Sequence, residues 1–294
     1  MKMTPPDIAS DLTTIAPLPR WVTARRAETF EDVAFLSGYA LSHLHLVAAR
    51  PEVPHALLRD RLALRAAEAC AGLSGRFERA AELRDTCHLL RDGDLPGPAG
   101  EMYLSWRRAV ERPVSPRGLH RALPDVEAMD VAVWLDAGEG APLRRAAAVL
   151  ETVLTERPRA RVAALIMAEA ALAQAVGATH VLPLLALGLK RADFNATGEA
   201  LVEACHRAVI AAVPEVLTLA SDLSRKAAHL SAVAPKLRAK GAGEAVEMFL
   251  TQDAVAPTAL PLPDRAARRL CDRLVELGAV RELTGRDTFR LYGV

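Results

Sequence analysis

The stretch RARVAALIMAEAALAQAVG, residues 159–177, is apolar on nearly all sides when wound at helical spacing. A helix of that kind has no face to offer water, so it belongs at the centre of a bundle. No uninterrupted apolar run of about 18 residues occurs in the chain, so a membrane-spanning helix is not expected. The rest of the chain must supply the helices that cover this one.

Helical spacing begins near Phe30. Phe35, Leu36, Tyr39, Leu41, Leu44 and Val47 predict one apolar face, stopped by Pro51. A second helix is expected from about His55 to Cys70, and a third, shorter one ending near Arg91. The segment from Asp92 packs three Gly and two Pro into nine residues, which predicts a rigid connector before a helix from about Glu101. After Pro- and Gly-broken pieces at 112–140, helix returns for LRRAAAVLETVLTER and for the central run. A long amphipathic helix is expected from about Glu199 to His229, kinked or split at Pro214. Pro, two Gly and three basic residues in SAVAPKLRAKGAGEA place a border near residue 240. The expected organisation is an N-terminal arm at 1–27, a helical domain at 28–240 and a C-terminal module at 241–294.

That module changes rhythm. A first helix is expected at Glu244–Leu250, and APTALPLP leaves room for a turn or one very short helix. Asp264 is placed as the N-cap of a third helix, with Leu270, Cys271, Leu274 and Leu277 facing inward and Gly278 ending it. The period then falls to two over Ala279–Leu283 and Thr288–Tyr292, with Gly285 in the turn between them. Three helices followed by a two-stranded hairpin are the outline of a winged helix-turn-helix. The expected fold class is therefore mainly α: an Ala-rich helical bundle domain followed by a C-terminal winged helix-turn-helix with a two-stranded wing.

Charge sharpens this reading. The net charge is +1, so no global field draws the chain to nucleic acid, and any polyanion site must be a local patch. Only five of the 37 basic residues are Lys, a bias that a GC-rich genome explains. Arg265, Arg268, Arg269 and Arg273 fall on the outward side of the third tail helix, the one such folds lay in a major groove. Arg281, Arg286 and Arg290 fall on or beside the wing, where phosphate contacts are usual. Lys236, Arg238 and Lys240 lie just upstream. Against these seven arginines stand five acids between 264 and 294, and Asp272 or Glu276 at helical spacing could neutralise Arg268 or Arg273. A solvated face, or a module that docks a protein partner, stays open beside DNA.

Other chemistry is weakly signalled. Cys70, Cys87, Cys205 and Cys271 are scattered without a metal or disulfide spacing. Cys87 and His88 are adjacent, so on a helix they point about 100° apart and cannot easily pair with each other. His43 and His45 are two apart, the wrong spacing for a helical metal pair. The Gly/Pro connector lacks the Lys and hydroxyl of a phosphate-binding loop, and its aspartates would repel an anion. The N-terminus lacks the apolar core of a signal peptide, so a cytoplasmic location is expected. Trp106, Trp134 and Phe35 fall among apolar positions expected to be buried.

The stretches LALRAAEACAGLSGRFERAAELRDTCHLLRDGDLPGPAGEMYLSWRR, VAPKLRAKGAG and RAARRLCDRLVELGAVRELTGRDTFRLYG resemble the bacterial domain-of-unknown-function family 1403, in the same order and over most of the chain. The resemblance implies an α-proteobacterial origin and a helical N-terminal region, and it brings no activity. The tail is also similar to the winged helices that end Fic-type proteins. The His-Pro-Phe signature of that catalytic family is absent, since none of the eight His is followed by Pro. The expectation is thus a non-enzymatic DNA-binding protein, a transcriptional or replicon-maintenance regulator. It has no catalytic residue, metal or cofactor, its helical domain dimerises or senses a ligand, and its partner is double-stranded DNA or, alternatively, a protein.

Overall fold

The computed structural model describes residues 15–24, 28–91, 93–237, 239–285 and 289–294. Among the described residues the regular structure comprises thirteen α-helices, one two-stranded sheet and three short 3-10 turns. Among the described residues no helix is long and apolar enough to cross a membrane.

The short α1 (Arg20–Ala24) lies on α2 (Phe30–Ala48), whose Thr29 N-cap side chain accepts a hydrogen bond from the Asp32 amide at 3.2 Å. Then come α3 (His55–Leu73), α4 (Ala80–Leu89) and α5 (Gly97–Glu111). The connector before α5 is shorter than expected, because Gly97–Gly100 already forms the first turn of that helix. Two short helices, α6 (Pro116–Ala122) and α7 (Ala128–Leu135), lead to α8 (Pro142–Glu156) and α9 (Arg161–Ala175). Every residue of α9 from Ala163 to Ala173 is buried, the central position its sequence predicts. It packs against α5, α7, α8 and the five-residue α10 (Leu184–Gly188). Full burial of side chains such as Leu165 and Ile166 contributes about 1.5–3 kcal/mol each.

The long helix α11 (Gly198–Val233) runs through Pro214 as one 36-residue element, so of the two outcomes expected there, a kink or a split, the split does not occur. It carries α2 on one side and α8 and α10 on others. The apolar stripe of α2 also differs from expectation. Val33, Leu36, Ser37, Ala40, Leu44 and Val47 face inward, while Phe35 is 66% exposed and stacks on Trp21 of α1. Trp106 and Trp134 are fully buried, as expected.

The C-terminal segment comprises α12 (Ala242–Thr251), a 3-10 turn at Pro257–Ala259, α13 (Asp264–Glu276), β1 (Arg281–Glu282) and β2 (Tyr292–Gly293). Pro263 rather than Asp264 occupies the N-cap of α13. Asp264 instead places its charge in the first turn, against the positive end of the helix. Gly278 ends α13 with φ +65°, a left-handed conformation that favours glycine. The strands are shorter than the two-residue rhythm suggested. They pair antiparallel, Arg281 with Gly293 and Glu282 with Tyr292, and Thr288 lies outside the described residues. Val255 adds a third rung that the sequence reading missed, bonding Tyr292 through both backbone groups at 2.8 and 2.9 Å. One hydrophobic core runs without a break across residue 240. Phe249, Val255, Leu274 and Tyr292 share it with Leu57 and Leu62.

Candidate nucleic-acid interface

On α13 the residues Ala267, Leu270, Cys271 and Leu274 are buried, spaced three and four apart as an amphipathic helix requires. The opposite side is therefore turned outward, and Arg265, Arg268, Arg269 and Arg273 are all exposed on it. Among the described residues Arg265, Arg268 and Arg269 pair with no acid. Arg269 Nε donates only to the Arg265 carbonyl oxygen at 3.3 Å. Arg273 is different: its Nη1 meets Glu276 Oε2 at 2.9 Å, the neutralising pair that helical spacing allows. The face is thus graded, free arginines on its N-terminal half and a mixed pair on its C-terminal half.

The hairpin stands beside this helix. Arg281 is exposed on β1, and Arg290 is exposed before β2. Arg290 is partly engaged: its charge is favoured by a hydrogen bond with Tyr292 and by Glu282, whose Oε2 lies 3.9 Å from Arg290 Nε. Lys236 and Lys240 are exposed upstream. Arg286, expected beside the wing, and Arg238, just upstream, lie outside the described residues.

Two devices fix the tail to the bundle. At one end His229 of α11 bonds through Nε2 to the Leu277 carbonyl oxygen at 3.0 Å, holding the C-terminus of α13. At the other, the segment after α12 carries Asp253, 1% exposed, which forms ion pairs with both Arg61 of α3 and Arg84 of α4. The Asp253 amide donates to Asp60 Oδ2 at 2.8 Å, and Arg107 of α5 lies 3.5 Å from Asp60. Burial raises the Asp60 carboxyl above its usual range, opposed chiefly by Arg107, and the same burial lowers Arg61. Arg61 also reaches the carbonyl oxygens of Asp253 and Val294, each at 3.4 Å. Gly293 makes this closeness possible, because an added Cβ there would stand 2.5 Å from the Asp253 carbonyl oxygen. Removing one member of a buried pair of this kind costs about 3–5 kcal/mol, because the other charge is left uncompensated.

None of this network was visible as a motif. Asp60 and Asp253 are separated by most of the chain, and nothing local marks either. One signal could have drawn attention to α3: Asp60 and Arg61 sit between Leu58 and Leu62 on a helix buried over most of its surface.

The other reactive residues are occupied structurally. All four cysteines are free thiols, with Cys87 pushed up to about 11 and Cys70, Cys205 and Cys271 to about 12 by burial, so none is a thiolate near neutrality. His88 is lowered by burial and by Arg107. His43 Nε2 bonds the Ala16 carbonyl oxygen at 2.8 Å, tying the segment before α1 to α2. His206 Nδ1 lies 2.6 Å from Ser37 Oγ. Ser37 is fully buried, and its Oγ also lies 2.9 Å from the Ala34 carbonyl oxygen. Among the described residues no group of three or more His, Cys, Asp or Glu is placed to hold a metal ion. Asp94 of the Gly/Pro connector accepts from the Arg91 amide at 2.9 Å, and Asp92 lies outside the described residues.

The chain belongs to DUF1403, a family described as a protein of unknown function, whose model matches residues 6–294. No curated protein matches it.

Proposed function

We propose that the chain is a non-enzymatic protein that binds double-stranded DNA, using residues 241–294 as a winged helix-turn-helix. The observation that carries this reading is the outward face of α13, where Arg265, Arg268 and Arg269 are exposed and free of acid partners among the described residues. The order of elements agrees with it: α12, the Val255 rung, a short 3-10 turn, α13 and a hairpin. In this fold the third helix enters the major groove and the hairpin rides on the neighbouring phosphates. Arg281 and Arg290 fall on that second element, and Arg286 belongs to the same turn by sequence.

Guanidinium groups suit the task because their planar fork donates to phosphate oxygens or to a guanine edge in pairs. An arginine already bound to a carboxylate must give up that partner first. Arg273 and Arg290 are therefore secondary contributors, and Arg265, Arg268 and Arg269 are the primary ones.

The test is fluorescence anisotropy of a labelled random-sequence duplex with the purified chain, at about 50 mM and about 200 mM salt. The proposal expects binding at low salt that weakens steeply at the higher concentration. It also expects the Arg265→Ala, Arg268→Ala, Arg269→Ala triple variant to lose most of that binding while staying folded. No binding at low salt sinks the DNA reading and turns the same face into a docking surface for a protein partner.

A further inference from the structure

Near the junction of α3, the end of α2 and the 176–183 connector the fold leaves two buried polar atoms without a partner and one guanidinium without a carboxylate. Arg59 of α3 is half-buried. Its Nε donates to the Val110 carbonyl oxygen at 3.0 Å, and among the described residues no carboxylate pairs with it. Burial alone depresses its pKa, which is the mark of a guanidinium removed from water without compensation. His55, one turn earlier on the same helix, has a buried Nε2 without a hydrogen-bond partner. Glu169 of α9 is 1% exposed. Its Oε1 accepts the Leu185 and Ala186 amides at 2.5 and 3.1 Å, and its Oε2 has no partner. Buried polar atoms left this way are costly and are rare in folded proteins.

They line two neighbouring spaces. Arg59 and His55, with His45, Thr179 and His180, border an open cleft of about 400 Å³. A small apolar cavity of about 60 Å³, walled by Leu44, Leu172, Val176 and Leu184, ends at Glu169. His45, Ala48, Ala178, His180 and Leu182 are common to both. Arg59 is the cation of the mouth, and burial together with that charge lowers the pKa of His180. The interior is apolar. A cleft of this size falls within the range of small-molecule sites.

We propose that this cleft binds a small amphipathic carboxylic acid. Its carboxylate sits between Arg59, His55 and His180, and its apolar body points past Leu182 toward Glu169. The anion supplies the counter-charge that Arg59 lacks. The apolar body removes the inner cavity's walls from water. The site lies in the helical part of the chain and is independent of the proposed DNA contact.

The probe is octanoate, added to the full-length chain while thermal unfolding is followed by circular dichroism. Octylamine and inorganic phosphate are run in parallel. Binding to the folded state raises the unfolding midpoint in proportion to the logarithm of ligand excess. The expected result is a saturating rise with octanoate and none with octylamine or phosphate. The half-saturating concentration should increase about tenfold or more in Arg59→Gln, the loss of one charge-assisted contact. Ala48→Phe, which narrows the shared wall without touching Arg59, should also abolish the rise, and it decides the matter should Arg59→Gln fail to fold. No rise with octanoate overturns the proposal. An equal rise with octylamine or phosphate, or an undiminished octanoate response in the folded variants, overturns it as well.

Discussion

Two groups of arginines meet in the C-terminal segment, and they live under opposite rules. Arg61 and Arg84 are buried on either side of Asp253, each committed to a carboxylate. Arg265, Arg268 and Arg269 stand in water on the outer side of α13, with no acid to hold them among the described residues. The residue type is the same, and burial with a partner decides its role. The buried set positions the tail and gains its strength from a low dielectric, where an unpaired charge is intolerable. The outer set adds almost nothing to stability, which in the proposed reading leaves it free to exchange water for phosphate.

This contrast breaks most visibly at Asp253. Replacing it by Ala should destabilise the fold by roughly 3–5 kcal/mol in chemical denaturation, because Arg61 and Arg84 would stay buried without their partner. A loss under about 1 kcal/mol would mean the pair is more hydrated than its burial indicates. Changing Asp253, Arg61 and Arg84 together to apolar residues of similar size should cost much less than Asp253→Ala alone.

A second way to sharpen the comparison uses Glu169, the other deeply buried acid. Burial raises its carboxyl well above the ordinary value of 4.5, so the folded state keeps a proton that the unfolded chain releases above that pH. The stability tied to the neutral carboxyl is fully present below 4.5 and drains as pH rises toward the folded-state pKa. Glu169→Gln cannot ionise. Wild type should therefore lose stability relative to this variant as pH rises above 4.5, by up to about 1.4 kcal/mol per pH unit. Parallel stability curves would contradict the burial of a protonated Glu169.

On the outer face the expected effects on folding are small. The triple Arg→Ala variant on α13 should unfold within about 0.5 kcal/mol of wild type for each site changed. Smallest of all is the Arg273–Glu276 pair, both partners more than half exposed, whose coupling in a double-mutant cycle should be about 0.3 kcal/mol. A coupling above about 1 kcal/mol would place that pair with the buried set instead.

Legibility in the sequence follows the range of the interaction. The central helix α9, the inward Leu270, Cys271 and Leu274, and the stop at Gly278 are all local patterns of spacing, and each is found where the spacing predicts. The outward arginines of α13 come from the same arithmetic. Phe35 misled because an apolar residue on a helix next to a covering element can face that element instead of the core, and Trp21 stacks on it there. Val255 is a single rung with no rhythm of its own, so only its partner Tyr292 reveals it. The Asp253 network joins helices separated by most of the chain, and periodicity carries no information about such meetings. Glu169 is the exception that could have been read: one acid in the middle of a helix apolar on all sides calls for a partner, and the N-terminal amides of α10 supply it for Oε1 alone.

The most direct test of the division between holding and binding arginines is the slope of log affinity against log salt for a random duplex. It is measured for wild type and for the Arg265, Arg268 and Arg269 triple variant. Each phosphate contact contributes about −0.9 to that slope, so the account predicts a slope shallower by roughly 2–3 in the variant, with its unfolding curve unchanged. Equal slopes in the two proteins would contradict it, because the exposed arginines would then have no part in contacting DNA.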